Sequence, residues 1–186
     1  MSAGTTVSYG IRSGIDTLNS RHHQTGLRVF LVIVLAHWAE HMAQAIQVYL
    51  LGWPVPDARG VLGVPFPWLV TSEWMHYGYA LIMLGGFVLL RPGFTGASRT
   101  WWNTALGIQV WHHFEHGLLL VQALAGSYLF GKAAPASVIQ LFVPRVELHL
   151  FYNTVVTLPM VVAMMLHTRS HRADNATAQC TCAVPA

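Results

Sequence analysis

Two short stretches hold residue types able to do chemistry at close quarters: His37-Trp-Ala-Glu40-His41 and His112-His113-Phe-Glu115-His116. A helix turns about 100° per residue. His37, Glu40 and His41 therefore share one helical face, as do His112, Glu115 and His116. Imidazole nitrogens and carboxylate oxygens are the donors that suit iron, manganese, zinc or copper(II). Glu73 and His76, three apart, form a third such pair. Glu147 and His149, two apart, point to opposite sides of a regular helix unless Pro144 distorts its first turn. Otherwise His149 continues a stripe with Asn153, and Glu147 pairs with Arg145.

These residues sit in strongly apolar surroundings. Of 186 residues, 54% are hydrophobic and 9% charged, and the mean hydropathy is +0.46. A soluble domain carries about 25% charged residues. Apolar runs of about 20 residues point to membrane spans. The pattern predicts an all-α, polytopic four-helix transmembrane bundle with spans at 27–51, 67–90, 101–130 and 141–167. Breaker-rich segments separate the spans, and Trp53, Trp68, Trp101 and Trp102 stand at their ends. Residues 1–26 are expected to be a mobile tail and 168–186 a second tail.

Seven of the ten Lys and Arg residues (Arg12, Arg21, Arg28, Arg91, Arg99, Arg169, Arg172) lie in the two tails and the middle loop. That bias predicts cytoplasmic termini, in a plasma membrane of bacterial type. The net charge of +3 follows from the same bias. With no basic stripe interleaved with aromatics, it calls for no nucleic-acid partner. Cys180 and Cys182 form a C-x-C with His167 and His171 nearby. Such a group binds soft metals or is simply a disordered end.

All four glutamates, Glu40, Glu73, Glu115 and Glu147, fall inside the expected spans, one per helix. Four unpaired carboxylates at mid-membrane would cost on the order of 10–14 kcal/mol. Protons, histidines or a cation must neutralise them, and the polar faces must turn into the bundle. The boxes also repeat. His37 to His112 spans 75 residues and Glu73 to Glu147 spans 74, so the chain reads as two tandem helical hairpins.

A dinuclear metal site accounts for most of this pattern. Its expected ligands are His37, Glu40, His41, Glu73, His76, His112, His113, Glu115, His116, Glu147 and His149. The arrangement is similar in logic to soluble di-iron and di-manganese bundles, which use Glu and Glu-x-x-His on facing helices. Carboxylate bridges favour iron; copper or zinc also suits the donors. The expected function is oxygen-dependent oxidation of a hydrophobic small molecule entering from the bilayer, with an electron-donor protein or a larger membrane complex as partner.

Haem b between facing histidines is an alternative, although nearby carboxylates would repel its propionates. A metal or proton transport path is another. A hydrogen-bonded lock between helices is a third, at greater desolvation cost than Ser or Asn would incur. H-x-x-E-H is also the inverted zinc-protease motif, but two copies in two spans are not expected there. Gln44 and Gln47 extend the polar face of the first box and could orient ligands. Tyr77, Tyr79, Tyr152, Trp38, Trp74 and Trp111 are expected to be packing residues before electron relays. Gly85-Gly86 should allow close helix approach.

Overall fold

The computed structural model describes residues 3–173. It is all-α, with no strand among the described residues. Six helices follow in order: α1 (Ala3–Ser20), α2 (His23–Tyr49), the single turn α3 (Trp68–Thr71), α4 (Glu73–Leu90), α5 (Gly96–Ala125) and α6 (Arg145–Ala173). Two of them, α2 and the Arg145–Arg169 part of α6, are long and apolar enough to cross a membrane. The polar side chains of α5, which include His112, His113, Glu115, His116, Gln109 and Gln122, dilute its hydropathy.

The helix ends have local causes. Ser72 adopts an extended backbone that separates α3 from α4. Gly126, at φ +62, ends α5 in the left-handed conformation that glycine adopts without a Cβ clash. Pro144 immediately precedes α6 instead of distorting it. A proline lacking its N–H is tolerated there, before the intrahelical bonds begin.

α5 packs against α4 and α6, and α2 closes against both. One end of this packing is an apolar slab. Leu27, Phe30 and Val34 of α2 meet Met83 and Phe87 of α4, Trp102 and Ala105 of α5, and Val156, Met160 and Ala163 of α6. Gly86 allows the approach of α2 and α4, since a Cβ there would strike the Phe30 ring; at Gly85 the space is open. The Trp102 indole donates to the Phe87 carbonyl at 2.9 Å.

Along each helix the histidines come next to this slab. On the far side of the histidine layer, the loops after α2 and after α5 fold back against the bundle.

The N-terminal segment, expected as a tail, carries a helix. Residues 3–20 are helical, and Asn19 fastens α1 to the end of α4. Its Nδ2 donates to the Leu89 carbonyl and its Oδ1 accepts from Gly93 N–H, at 2.8 and 2.9 Å. Cys180 and Cys182 lie outside the described residues.

Candidate metal centre

His37 and His41 lie one turn apart on α2 with their Nε2 atoms 3.0 Å from each other. His112 and His116 repeat this on α5 at 3.2 Å. Two nitrogens on one ion at about 2.0–2.1 Å stand about 2.9–3.4 Å apart for bond angles between square and tetrahedral. A hydrogen bond between neutral rings has the same length. His76 of α4 and His149 of α6 complete the group. His149 packs against His41, His116, His76 and His112 with ring centroids 4.7, 5.8, 6.1 and 6.2 Å away. His76 lies parallel to His116 at 5.9 Å. Six imidazoles from four helices thus form one cluster.

Three of these rings have their protons placed by a fixed acceptor. His76 Nδ1 donates to the Ser72 carbonyl at 2.9 Å, and His149 Nδ1 to the Arg145 carbonyl at 2.7 Å. His41 Nδ1 donates to Gln44 Oε1 at 3.1 Å. A carbonyl oxygen only accepts, so Nδ1 carries the hydrogen and Nε2 presents a lone pair. Metal-binding histidines are oriented in this way. The His149 Nε2 is buried with no hydrogen-bond partner, as are the Nδ1 atoms of His112 and His116. Among the described residues, no three His, Cys, Asp or Glu side chains converge on one point as metal ligands.

Each glutamate has a hydrogen-bond or ion-pair partner. Glu40 accepts from the backbone N–H of Val61 at 2.8 Å and of Leu62 at 3.1 Å, both in the loop after α2. Glu115, 2% exposed, accepts from Ile139 N–H in the loop before α6 at 3.1 Å and from the Tyr152 hydroxyl at 2.5 Å. Glu73 forms a two-pronged ion pair with Arg145 at 2.9 and 3.1 Å. Glu147 accepts from the exposed Tyr49 hydroxyl. Arg145 therefore pairs with Glu73, not with Glu147 as the alternative reading of the fourth helix expected. His149 does turn inward, and Asn153 lies on the same inner side beside a small void. His113 leaves the cluster and packs on Tyr77 at 5.0 Å.

The geometry extends the repeat and corrects its register. Each first helix reads H-x-x-E-H-x5-Q. Gln47 clamps Gly60 through both backbone groups at 3.0 and 2.8 Å. Gln122 clamps Ala136 likewise at 2.9 and 3.3 Å. Each second helix reads H-x-x-Y: Tyr79 stacks on His37 at 3.6 Å, and Tyr152 packs tilted by 33° against His112 at 4.2 Å. Ser72, His76 and Tyr79 thus correspond to Arg145, His149 and Tyr152, an offset of 73. Glu73 and Glu147, 74 apart, are not counterparts. The paired glutamines and tyrosines are legible in the sequence as matched spacings beside the carboxylates and imidazoles.

A cavity of about 390 Å³ opens beside His37, His41 and His76, walled largely by Ile33, Leu62, Val70 and Met75. A void between His37 and His112 and another among His112, His116 and His149 are about 10 Å³ each. Compared with known protein families, curated proteins and solved structures, the chain matches none.

Proposed function

We propose that this chain is an integral membrane oxidoreductase. Its six clustered imidazoles, His37, His41, His76, His112, His116 and His149, would hold one or two transition-metal ions beside an apolar substrate cavity. In this reading α2, α4, α5 and α6 all cross the bilayer, with the termini on the cytoplasmic side by the distribution of Lys and Arg. The observation that carries it is the set of Nε2 lone pairs. Three are fixed by Nδ1 donation to carbonyl oxygens, and one of them, on His149, is buried without a partner.

The glutamates explain how polar loops could be held inside such a bundle. Irregular backbone is tolerated at membrane depth only where its N–H and C=O groups are satisfied by protein. Glu40 with Gln47, and Glu115 with Gln122, satisfy the two folded-back loops. Preference for iron rested on carboxylate bridges. With the carboxylates so engaged, the donor set is imidazole alone and suits copper or zinc as well. Haem is less well served, because the voids between the facing rings are about 10 Å³ and a porphyrin needs a slot.

A redox-active ion bound there would supply one-electron chemistry and oxygen activation. The chain's own part is to orient the rings through Ser72, Arg145 and Gln44, to keep water out with Tyr79 and Tyr152, and to admit a bilayer-soluble substrate at the His37 side. An electron-donor protein or larger complex would complete the cycle.

The deciding experiment is elemental analysis of detergent-purified protein with an absorption spectrum of the same sample. One or two equivalents of iron or copper without a Soret band supports the proposal. A Soret band transfers the histidines to haem. Stoichiometric zinc points to hydrolysis or transport. No metal, in protein purified without chelator, overturns it.

A further inference from the structure

The two repeats are alike in their histidines but not in the space beside them. In the first, the cavity of about 390 Å³ reaches His37, His41 and His76. The matching place in the second, against His112, His116 and His149, holds a void of about 10 Å³. Two counterpart pairs differ at the wall itself: Gln44 corresponds to Leu119 and Met75 to Leu148. A third, Ala36 at the open cavity, corresponds to Trp111, which is 44% exposed and does not line the closed void. Leu119 and Leu148 are buried and line the closed side, whereas Met75 is 39% exposed at the open one. The exchange at Gln44 also accounts for an orphan. Gln44 Oε1 takes the His41 Nδ1 hydrogen, while Leu119 has no acceptor to offer, and His116 Nδ1 is left buried without a partner.

The polar groups at the open cavity are biased in one direction. Both Glu40 oxygens are engaged by loop N–H groups. The Gln44 oxygen is engaged by His41, and its NH₂ makes no hydrogen bond to another described residue. Arg59 spends Nε on the Pro56 carbonyl and forms no ion pair among the described residues. Apart from the imidazole nitrogens assigned above to the metal, what remains is donors: the Gln44 amide and the guanidinium NH₂ groups. An organic cation would meet Arg59 and find no carboxylate or amide oxygen left to accept from it. A full anion would sit near the Glu40 carboxylate.

We infer that the first repeat alone carries the substrate site. It binds a neutral molecule with an apolar body and a terminal hydroxyl or carbonyl oxygen, which accepts hydrogen bonds from Gln44 and Arg59. The second repeat is closed to such a molecule and contributes its imidazoles to the cluster. The identification of this ligand as substrate rests on the proposed oxidoreductase reading; its binding does not.

The test uses the full chain in lipid nanodiscs and two photoreactive probes, a diazirine-bearing dodecanol and the corresponding diazirine-bearing dodecane. Labelled peptides are mapped by mass spectrometry, and metal content is measured on the same preparation. The expected result is dodecanol labelling concentrated in 33–44 and 59–76 over 108–119 and 137–152. Ala36→Trp, which puts the second repeat's side chain into the first, should cut it about fivefold or more. Gln44→Leu should remove the preference for the alcohol over the alkane. Equal labelling of both halves, labelling confined to outward residues such as Val32 and Leu81, or indifference to both variants would overturn the inference. Loss of the pattern in metal-loaded protein defeats the inference alone. The expected pattern in protein that holds no metal upholds the binding site and defeats the redox function.

Discussion

Tyr79 stacks on His37 with their rings 14° from parallel, and the same pairing recurs in the second repeat between Tyr152 and His112. The hydroxyls of the two tyrosines differ. Tyr79 reaches only the Ile33 carbonyl, at 3.4 Å, whereas Tyr152 donates to the buried Glu115 carboxylate at 2.5 Å. Tyr79→Phe keeps the stack and gives up a long hydrogen bond, so its thermal midpoint in detergent should stay within about 0.5 kcal/mol of wild type. Tyr152→Phe leaves a buried carboxylate short of a donor and should cost about 1–3 kcal/mol. Equal effects would mean that the hydroxyls do not distinguish the halves.

His149 touches four other imidazoles, and its Nδ1 hydrogen is committed to the Arg145 carbonyl. His149→Ala should therefore remove at least half of any bound transition metal, by elemental analysis, in protein that still inserts. His113→Ala should leave the metal content unchanged, because His113 packs on Tyr77 away from the cluster. Equal loss in the two variants would defeat the six-imidazole assignment.

Glu40 and Glu115 each hold a different loop. Glu40→Ala removes the acceptor for Val61 and Leu62 N–H. Hydrogen exchange at those two amides should speed up about tenfold or more, the equivalent of about 1.4 kcal/mol of local opening. Ile139, bonded to Glu115, should keep its protection. Glu115→Ala should do the reverse. Exchange that rises in both loops in either variant would mean the loops are coupled and the carboxylates are not separate latches.

Gly60 sits at φ +75, and a Cβ there would collide with the Glu40 carboxylate. Gly52 has a similar φ of +69 with open space around it. Gly52→Ala should cost only the left-handed backbone term, about 1 kcal/mol. Gly60→Ala pays that and disrupts the latch, so its thermal midpoint should fall clearly further. Parity between the two would show that the Glu40 contact carries no weight.

The helices were legible because hydropathy marks them. Expected spans of 27–51, 67–90, 101–130 and 141–167 stand beside His23–Tyr49, Trp68–Thr71 with Glu73–Leu90, Gly96–Ala125 and Arg145–Ala173. The shift of α5 toward the N-terminus has a local cause in Gly126, which ends the helix where hydropathy alone continues. α1 was missed because its polar, glycine-containing sequence shows no apolar run.

The histidine faces followed from helical spacing. The partners of the glutamates did not. Glu40 and Glu115 meet backbone groups of loops that return to the helix, and backbone N–H groups carry no sequence signature. The 74-residue match of Glu73 with Glu147 misled for a related reason. Residue type suggested equivalence, while the carbonyl acceptors of His76 and His149 fix the true offset at 73.

That register yields a prediction that separates the two glutamates. Glu73 has 9% of its side chain exposed and faces the Arg145 guanidinium in a two-pronged pair, with Arg145 itself 38% exposed. Removing the arginine strands a largely buried carboxylate, whereas removing both partners strands neither. Arg145→Ala should cost about 2–3 kcal/mol, and the Arg145→Ala, Glu73→Gln double variant less than the sum of the singles by about 1–2 kcal/mol, after discounting for the exposed side of the arginine. Glu147→Ala gives up only a bond to the exposed Tyr49 and should stay within about 0.5 kcal/mol. Thermal unfolding of these variants, the Glu73→Gln single and the Arg145→Ala, Glu147→Ala double in one detergent reads both cycles. If Arg145→Ala couples to Glu147 in place of Glu73, the 73-residue register of α4 on α6 is wrong.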